Sequence, residues 1–319
     1  MLISDLGGHS GCRIELRQNE DNSKFVRKIS SSQSYNQRLQ AQCQKQSDFR
    51  NPVLRCPKVL ASGYTEDGLF YFDMEYVRGI TLSQYISTIE VDSLSDFVSS
   101  IIRAVYANSH ENKQERENGQ RCEFEHEHEH EHEREHEHET NAAAAGDSDM
   151  TSEEIQNVFM NKIARLEETL GGFNSQAVNR ALTALRRHDW RGNRQSFCHG
   201  DLTLENIIIR NGQIYLIDFL DSFYDSWVLD LATLLQDIEC MWSYRHNADI
   251  DINLKLRLLI SRDILVSEIN GISEDLLKEV RYCLLLKLIR IFPYVKDQNT
   301  YNFLESKTKM VLGLLGCKE

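Results

Sequence analysis

The sequence predicts an α+β protein with two lobes, a small β-rich N-terminal lobe and a larger, mainly helical C-terminal lobe. Strand-like runs separated by turn signals fill the first 77 residues, whereas apolar residues spaced at three and four positions dominate from residue 228 onward. A length of 319 residues fits two lobes around one cleft rather than many domains. We therefore assign residues 1–77 to the N-terminal lobe and residues 78–319 to the C-terminal lobe.

The N-terminal lobe begins with a glycine-containing turn, in which Gly7, Gly8 and Gly11 would let backbone N–H groups approach phosphates. A strand is predicted at residues 24–29, a helix at 34–46, and two further strands at 57–64 and 69–77 around the turn Glu66-Asp67-Gly68. In the C-terminal lobe, helices are predicted at residues 93–108, 152–170, 228–241, 252–269, 274–292 and 301–315.

The most informative stretch begins at His199-Gly200-Asp201. Asn206 follows Asp201 after five residues, and Asp218 ends the next apolar run. Phosphoryl transfer requires a carboxylate that accepts the proton of the attacking hydroxyl, and Asp201 is placed for this role. Asn206 can lend an amide oxygen to Mg²⁺, because hard cations prefer oxygen ligands. Each residue alone has a plain structural explanation, but the order and spacing of the set favour a catalytic one.

A hairpin is predicted between Asn206 and Asp218. Two apolar, partly β-branched runs, residues 207–209 and 214–217, flank Asn211-Gly212, which supplies the positive φ angles of a tight turn. Because a hairpin returns the chain to its starting point, Asp218 is expected to lie near Asn206. The two side chains could then share the metal ions that bridge the phosphates of a nucleotide.

This segment resembles the aminoglycoside phosphotransferase and choline kinase group within the protein-kinase-like fold. That group carries His-Gly-Asp-x-x-x-x-Asn where protein kinases carry His-Arg-Asp-x-x-x-x-Asn, and Ile-Asp-Phe where protein kinases carry Asp-Phe-Gly. Here Gly200 replaces the arginine and Leu220 replaces the glycine. The resemblance implies a bilobal kinase fold, ATP and Mg²⁺ as cofactors, and a small-molecule acceptor.

The chain after Asp218 also favours the small-molecule branch. Only residues 220–229 separate Phe219 from Asp230-Leu231-Ala232, where a helical pattern begins, and this leaves no room for a peptide-binding activation loop. In the resembled family, the Asp of Asp-Leu-Ala hydrogen-bonds the backbone of the catalytic loop. Asp230 matches it, with a plain N-terminal helix acid as the alternative, and His199 is expected to support the same loop.

The resemblance also assigns the nucleotide side of the cleft. Lys28 stands where the family has its phosphate-binding lysine, with Lys24 as the competitor, and the backbones of Glu75 and Val77 would contact adenine at the hinge. In kinases a Glu of the following helix holds this lysine, but residues 34–46 contain no acid. A glutamine, Gln40 or Gln44, is expected to take its place.

A Glu/His-rich segment interrupts the C-terminal lobe. Between residues 111 and 139 there are twelve Glu against four Lys or Arg, and such a run cannot bury apolar surface. We predict a disordered insertion over residues 111–149. Its six histidines could bind Zn²⁺ or Ni²⁺ loosely, but a neutral low-complexity expansion is the preferred interpretation.

Composition limits the setting and the partners. The eight cysteines are scattered without a Cys-x-x-Cys motif, and no signal peptide or run of about 20 apolar residues is present, which predicts a cytoplasmic protein without a membrane partner. The net charge of −13 argues against nucleic acid as the main partner, although a local basic patch around residues 186–194 stays open. The sequence does not predict the oligomeric state.

These observations predict an ATP- and Mg²⁺-dependent kinase for a hydroxyl of a small molecule: a sugar, an amino alcohol, an aminoglycoside or a polysaccharide precursor. Glu205, Asp221 and Asp225 are expected near the mouth of the cleft, where they could recognise a cationic or polyhydroxyl acceptor. The alternative is a catalytically weak, pseudokinase-like nucleotide-binding or scaffold protein, because the helix Glu is missing and the glycine turn is short. A nucleotidyl transferase is a third, less favoured possibility.

Overall fold

The computed structural model describes residues 2–6, 11–117, 150–173, 175–247 and 250–317, with the backbone alone for residues 108–117. Gly7 and Gly8 of the predicted phosphate-binding turn lie outside the described residues, and so does the Glu/His-rich segment from residue 118 to residue 149. Among the helices of the described ranges, none combines the length and the apolar character needed to cross a membrane.

The N-terminal lobe is built on a five-stranded antiparallel sheet. The strands of this part of the chain are β1 (Leu2–Leu6), β2 (Arg13–Gln18), β3 (Lys24–Ile29), β4 (Leu54–Arg55), β5 (Val59–Tyr64) and β6 (Phe70–Glu75). All except β4 belong to this sheet, in the order β1-β2-β3-β6-β5. The β-rich N-terminal lobe predicted from the sequence is therefore confirmed.

Helix α1 (Asn36–Asp48) packs on one face of this sheet. Lys28 of β3 lies opposite Phe72 of β6, so both side chains emerge on the same face. Phe72 packs there with Leu39 and Cys43 of α1. The buried positions of α1 are 39, 42, 43 and 46, the spacing of one helical face, and two of these four residues are glutamines.

The C-terminal lobe is mainly helical, as predicted. Its helices are α2 (Leu82–Thr88), α3 (Val91–Glu117), α4 (Ser152–Leu170), α5 (Gln176–Arg187), α6 (Trp227–Ile238), α7 (Ile252–Ile272), α8 (Glu274–Ile289) and α9 (Gln298–Leu314). Helix α6 is buried along its length from Val228, and it packs against α8 in the core. Helix α3 reaches Glu117, so residues 111–117, predicted to open the disordered insertion, are helical.

A second, smaller sheet joins the two lobes. The strands β7 (Ile80–Thr81), β8 (Ile207–Arg210) and β9 (Gln213–Leu216) combine with β4 in the order β4-β9-β8-β7. Strand β4 runs parallel to β9, and its Leu54 is buried in the core of the C-terminal lobe. The chain before the predicted boundary at residue 77 therefore contributes to the sheet that carries the candidate site.

Candidate active site

The hairpin of β8 and β9 brings Asn206 and Asp218 together. Asn211 and Gly212 at its tip have φ angles of 51° and 75°, as expected for the predicted tight turn. At the open end, the N–H of Ile217 donates to the carbonyl of Asn206 at 2.9 Å. Asp218, the next residue, itself has a positive φ of 62°.

Asp201 lies against Asn206. The amide nitrogen of Asn206 donates to the backbone carbonyl of Asp201 at 2.8 Å and to its carboxylate Oδ2 at 3.2 Å. These two bonds fix the amide so that its oxygen points away from Asp201. Burial raises the pKa of Asp201, while the positive charges of Lys287 and Arg290 oppose this rise. The structure thus brings the three polar residues of the motif to one place.

The His199 ring supports the predicted catalytic loop, residues 199–206, through two hydrogen bonds. One ring nitrogen, Nδ1, accepts from the backbone N–H of Asp201 at 3.3 Å, so the other, Nε2, carries the proton that is donated to the carbonyl of Ile217 at 2.8 Å. Burial lowers the pKa of His199 to about 4, and the ring also packs against Phe219. A neutral imidazole therefore links the catalytic loop to the end of the hairpin.

Two buried carboxylates of α6 hold the loop backbone. Asp230 accepts from the N–H groups of His199 and Gly200 at 2.6 and 2.9 Å, and Asp237 accepts from the N–H of Leu204 at 2.8 Å. Burial raises the pKa of Asp230 to about 6. Sequence reasoning missed Asp237, although its distance of seven residues from Asp230 puts both acids on one helical face.

Gly200 is required by the path of the chain. Its φ is +92°, and an added Cβ would lie 2.6 Å from the carbonyl oxygen of Leu220 and 2.6 Å from the hydroxyl of Ser222. The segment after Asp218 therefore passes directly over this residue. A side chain at position 200, such as the arginine of protein kinases, has no space here.

Lys28 reaches the same site from the N-terminal lobe. Its side chain is buried, and its ammonium donates to Asp218 Oδ1 at 2.5 Å and to Gln42 Oε1 at 2.9 Å. Lys24, the competing candidate, is exposed at the start of β3. The geometry therefore connects Lys28, and not Lys24, with Asp218 of the predicted motif.

The glutamine beside Lys28 is Gln42, so the expectation of Gln40 or Gln44 was wrong. Gln40 donates to the hydroxyl of Tyr64 at 2.8 Å, and Gln44 donates to Asp48. The reason is the phase of α1: residues 39, 42, 43 and 46 face the sheet, which turns positions 40 and 44 away from Lys28.

The hinge borders a cavity of about 460 Å³ between the sheet and the hairpin. Glu75, Tyr76 and Val77 line it, together with Phe25 and Tyr215. The N–H of Glu75 already donates to the carbonyl of Lys58 at 3.0 Å. The backbone N–H and C=O of Val77, by contrast, have no hydrogen-bond partner within the described ranges.

Of the predicted glycine turn, residues 7–11, the structure describes only Gly11. Gly11 has a φ of 75°, which favours glycine at this position, and the next residue, Cys12, is buried in the core of the N-terminal lobe. The predicted contact of Gly7, Gly8 and Gly11 with phosphates stays a prediction.

Two lysines near the site, the half-buried Lys45 and the buried Lys287, were not predicted. Lys45 of α1 donates to Asp225 at 2.7 Å and to the carbonyl of Leu220 at 3.1 Å, which ties α1 to the segment after Asp218. Asp225, expected to recognise a cationic acceptor, is therefore already paired. Lys287 of α8 is only 6% exposed and acts electrostatically on Asp201 and Asp230. A single lysine within the apolar run of residues 284–289 was the sequence signal for it.

The family comparison agrees with this geometry. The model of the phosphotransferase enzyme family matches residues 13–253, more than half of the chain. No protein with a curated description matches the sequence.

Solved structures of similar fold cover nearly the whole chain. They include a thermostable mutant of aminoglycoside phosphotransferase APH(4)-Ia in ternary complex with ADP and hygromycin B, with 13% identity and a TM-score of 0.59 over 99% of this chain and 94% of that one. A putative fructosamine-3-kinase from Haemophilus somnus 129PT has 13% identity and a TM-score of 0.51, over 98% and 92% of the two chains. The GDP complex of an aminoglycoside 2'-phosphotransferase IIIa mutant has 14% identity and a TM-score of 0.54, over 99% and 91%. At these identities the likeness shows the fold, which is the predicted kinase-like one.

Proposed function

Because the chain belongs to the phosphotransferase enzyme family, we propose that it transfers the γ-phosphoryl group of ATP to a hydroxyl group of a small molecule. The observation that carries this proposal is the meeting of Asp201, Asn206, Asp218 and Lys28 at one point between the lobes. These side chains comprise a proton acceptor, two oxygen donors for a cation, and a cation for phosphate, which are the parts that phosphoryl transfer needs.

Asp201 is the proton acceptor. As the acceptor oxygen forms its bond to the γ-phosphorus, its proton passes to the carboxylate of Asp201, and the bond from phosphorus to the bridging oxygen breaks to release ADP. Asn206 keeps the carboxylate in place through the hydrogen bond to Oδ2. Asp201 must be ionised to act, so its raised pKa sets the lower pH limit of the reaction.

Asn206 and Asp218 would hold Mg²⁺, because an amide oxygen and a carboxylate are the hard oxygen ligands that this ion prefers. In the described part of the chain, no group of three or more His, Cys, Asp or Glu is arranged to hold a metal by itself. When bound, such an ion would neutralise the negative charge of the phosphates.

The nucleotide would lie along the hinge. Lys28 is placed to bind its phosphates, and the unpaired N–H and C=O of Val77 are available to adenine. The backbone of Glu75 would contribute its carbonyl alone, because its N–H donates to the carbonyl of Lys58. Gly7, Gly8 and Gly11 would cover the phosphates.

Three observations favour a small acceptor over a protein. Only residues 220–226 separate Phe219 from the start of α6, and Lys45 fixes this segment through Leu220 and Asp225. The similar structures bear the names of aminoglycoside and fructosamine kinases.

A cytoplasmic location is supported by the seven cysteines of the described ranges, none of which forms a disulfide.

The alternative is a protein that binds nucleotide with little catalysis, and the neutral Gln42 beside Lys28 is the observation in its favour. The test is mass spectrometry of acceptor mixtures incubated with Mg²⁺ and ATP, using wild type, Asp201→Asn and the control Asp275→Asn, which changes an exposed acid at the start of α8. We expect a product heavier by one phosphoryl group, reduced about 10²- to 10⁴-fold by Asp201→Asn alone.

Nucleotide binding, measured with a fluorescent ATP analogue, is expected to be equal in all three proteins. Unchanged product with Asp201→Asn would overturn the role of Asp201. Tight nucleotide binding without product, in the presence of a cell extract as the source of acceptors, would favour the alternative.

A further inference from the structure

The cavity of about 460 Å³ beside the hinge lies at the junction of the two sheets. Its walls come from strands of the N-terminal sheet, from the hinge itself and from the hairpin of β8 and β9. Among the lining residues are two cations and three aromatic side chains: Lys24, Arg210, Phe25, Tyr76 and Tyr215. The volume falls within the range of about 300–1,000 Å³ that is typical of small-molecule sites.

This cavity lies on the face of the N-terminal sheet that points away from Lys28. Successive side chains of a strand project to opposite faces, so Phe25, three residues before Lys28 on β3, projects from the other face. Glu75, the cross-strand neighbour of Phe25, projects from that face too. None of the four side chains proposed for phosphoryl transfer lines the cavity. The cavity is therefore distinct from the proposed phosphate-binding site.

The two cations of the cavity come from different sheets. Lys24 begins β3, and Arg210 ends β8. Both residues are exposed, and in the described part of the chain neither forms an ion pair or a side-chain hydrogen bond. Lys24, the lysine that does not reach Asp218, therefore has its charge available to a ligand of this cavity, as does Arg210.

The lining carries more positive than negative charge. Glu75 is the one acid among the described lining residues. Its Oε2 accepts from the backbone N–H of Lys58 at 3.1 Å, which compensates part of its negative charge. Two cations thus stand against one hydrogen-bonded carboxylate, and this balance favours an anionic ligand.

The three aromatic side chains, Phe25, Tyr76 and Tyr215, supply apolar surface to the same cavity. Each is partly exposed, and within the described ranges none of them contacts another aromatic ring. The hydroxyl of Tyr215 donates to Gln213 at 3.2 Å, so its ring is what it can offer to a ligand. Such rings favour stacked or edge-to-face contacts with a second aromatic group.

We propose that this cavity binds a small aromatic anion, a molecule with an aromatic ring and a phosphate or carboxylate group. The ring packs against Phe25, Tyr76 and Tyr215, and the anionic group binds Lys24 and Arg210. This site goes beyond the proposed function and does not depend on it.

The test is calorimetric titration of the full chain at constant ionic strength. Phenyl phosphate and benzoate are the probes, and inorganic phosphate and phenol each supply only one half of the proposed ligand. We expect saturable binding of at least one aromatic anion, about tenfold tighter than binding of inorganic phosphate or phenol. The reason is that only the complete probe uses both the rings and the cations.

Substitutions locate the binding. Lys24→Gln and Arg210→Gln should each weaken it about tenfold, because each removes a charge-assisted hydrogen bond. Both residues are exposed, so we expect the variants to fold. The matched control is Arg165→Gln, which changes an exposed arginine of α4 outside the cavity lining, and it should bind like wild type. Lys28→Met, which alters the proposed phosphate-binding site, should also bind like wild type.

Absence of saturable binding to wild type, or equal binding to wild type and both cavity variants, would overturn the proposal. Weaker binding to Lys28→Met without any change in Arg210→Gln would overturn it too, because the probes would then occupy the nucleotide site. Binding that depends on Arg210, in a chain that yields no phosphorylated product, would leave this site in place and defeat only the proposed kinase activity.

Discussion

The two sides of the cleft are fixed by different kinds of contact. The catalytic loop is held by buried carboxylates: Asp230 binds two backbone N–H groups and Asp237 binds a third. Lys28, on the nucleotide side, is held by the neutral Gln42 and by Asp218 across the cleft. The loop is therefore ordered by its own lobe, whereas the position of Lys28 depends on a contact between lobes.

This difference suits the two roles proposed for these groups, proton acceptance by the loop and phosphate binding by Lys28. Groups that accept the proton must be in place before the reaction, and a rigid, preorganised loop provides this. A lysine that binds phosphates must exchange its partners when the nucleotide arrives, and an ion pair with a half-buried carboxylate is suited to such an exchange. Asp218, with a side-chain exposure of 32%, is the shared element of both sides.

The largest expected effect follows from removal of the loop's main anchor. Asp230→Ala leaves the N–H groups of His199 and Gly200 buried without an acceptor, so we expect a loss of about 3 kcal/mol in the free energy of unfolding. Urea denaturation measures this loss. Asp221→Ala, at an exposed position of the neighbouring segment, should change stability by no more than about 0.5 kcal/mol. Similar losses in the two variants would contradict a loop anchored by α6.

A second prediction separates backbone strain from steric conflict. Gly200 and Gly212 have φ angles of +92° and +75°, but an added Cβ meets the Leu220 carbonyl at 2.6 Å at position 200 and nothing within 4 Å at position 212. Gly212→Ala should therefore cost about 1 kcal/mol, the price of the left-handed conformation alone. Gly200→Ala should cost on the order of 1–2 kcal/mol more, because the segment over the loop must move. Equal urea midpoints for Gly200→Ala and Gly212→Ala would show that the segment after Asp218 moves aside at little cost in free energy.

The same contrast explains what the sequence could and could not predict. The catalytic loop, the hairpin and Asp230 were recognisable because their residues are close together and their chemistry depends on spacing. Gln42 was missed because glutamines occupy half of the buried positions of α1, so an apolar pattern could not give the phase of the helix. The pair of Lys45 and Asp225 joins residues 180 positions apart, and no local pattern records such a contact.

Asp237 and Lys287 were missed for another reason. Each is a single polar residue within an apolar helical pattern, and such patterns were interpreted as core. The structure shows that both are buried beside the catalytic loop. A lone ionisable residue on the core face of a helix is therefore a useful signal for a contact with a functional loop.

A third prediction tests the nucleotide side. Gln42→Ala removes one of the two partners of the Lys28 ammonium, a hydrogen bond to a charged group worth about 1.5 kcal/mol. We expect KM for ATP to rise about tenfold, with KM for the acceptor unchanged. Gln44→Ala, on the solvent side of the same helix, is the matched control and should behave like wild type. A change in KM for the acceptor would show that the two sides are not independent.

The smallest expected effect concerns the pH dependence of kcat/KM. As the proposed base, Asp201 would act only when ionised, so activity should fall as pH decreases through its raised pKa. Lys287 and Arg290 favour the ionised form, and Arg290→Gln removes one of these charges. The pKa of Asp201 should then rise further, and the acidic limb should move to higher pH by less than about one unit. Lys278→Met should leave the limb in place, because this exposed residue does not act on Asp201. A limb that moves to lower pH would contradict the electrostatic link between Arg290 and the proposed base, Asp201.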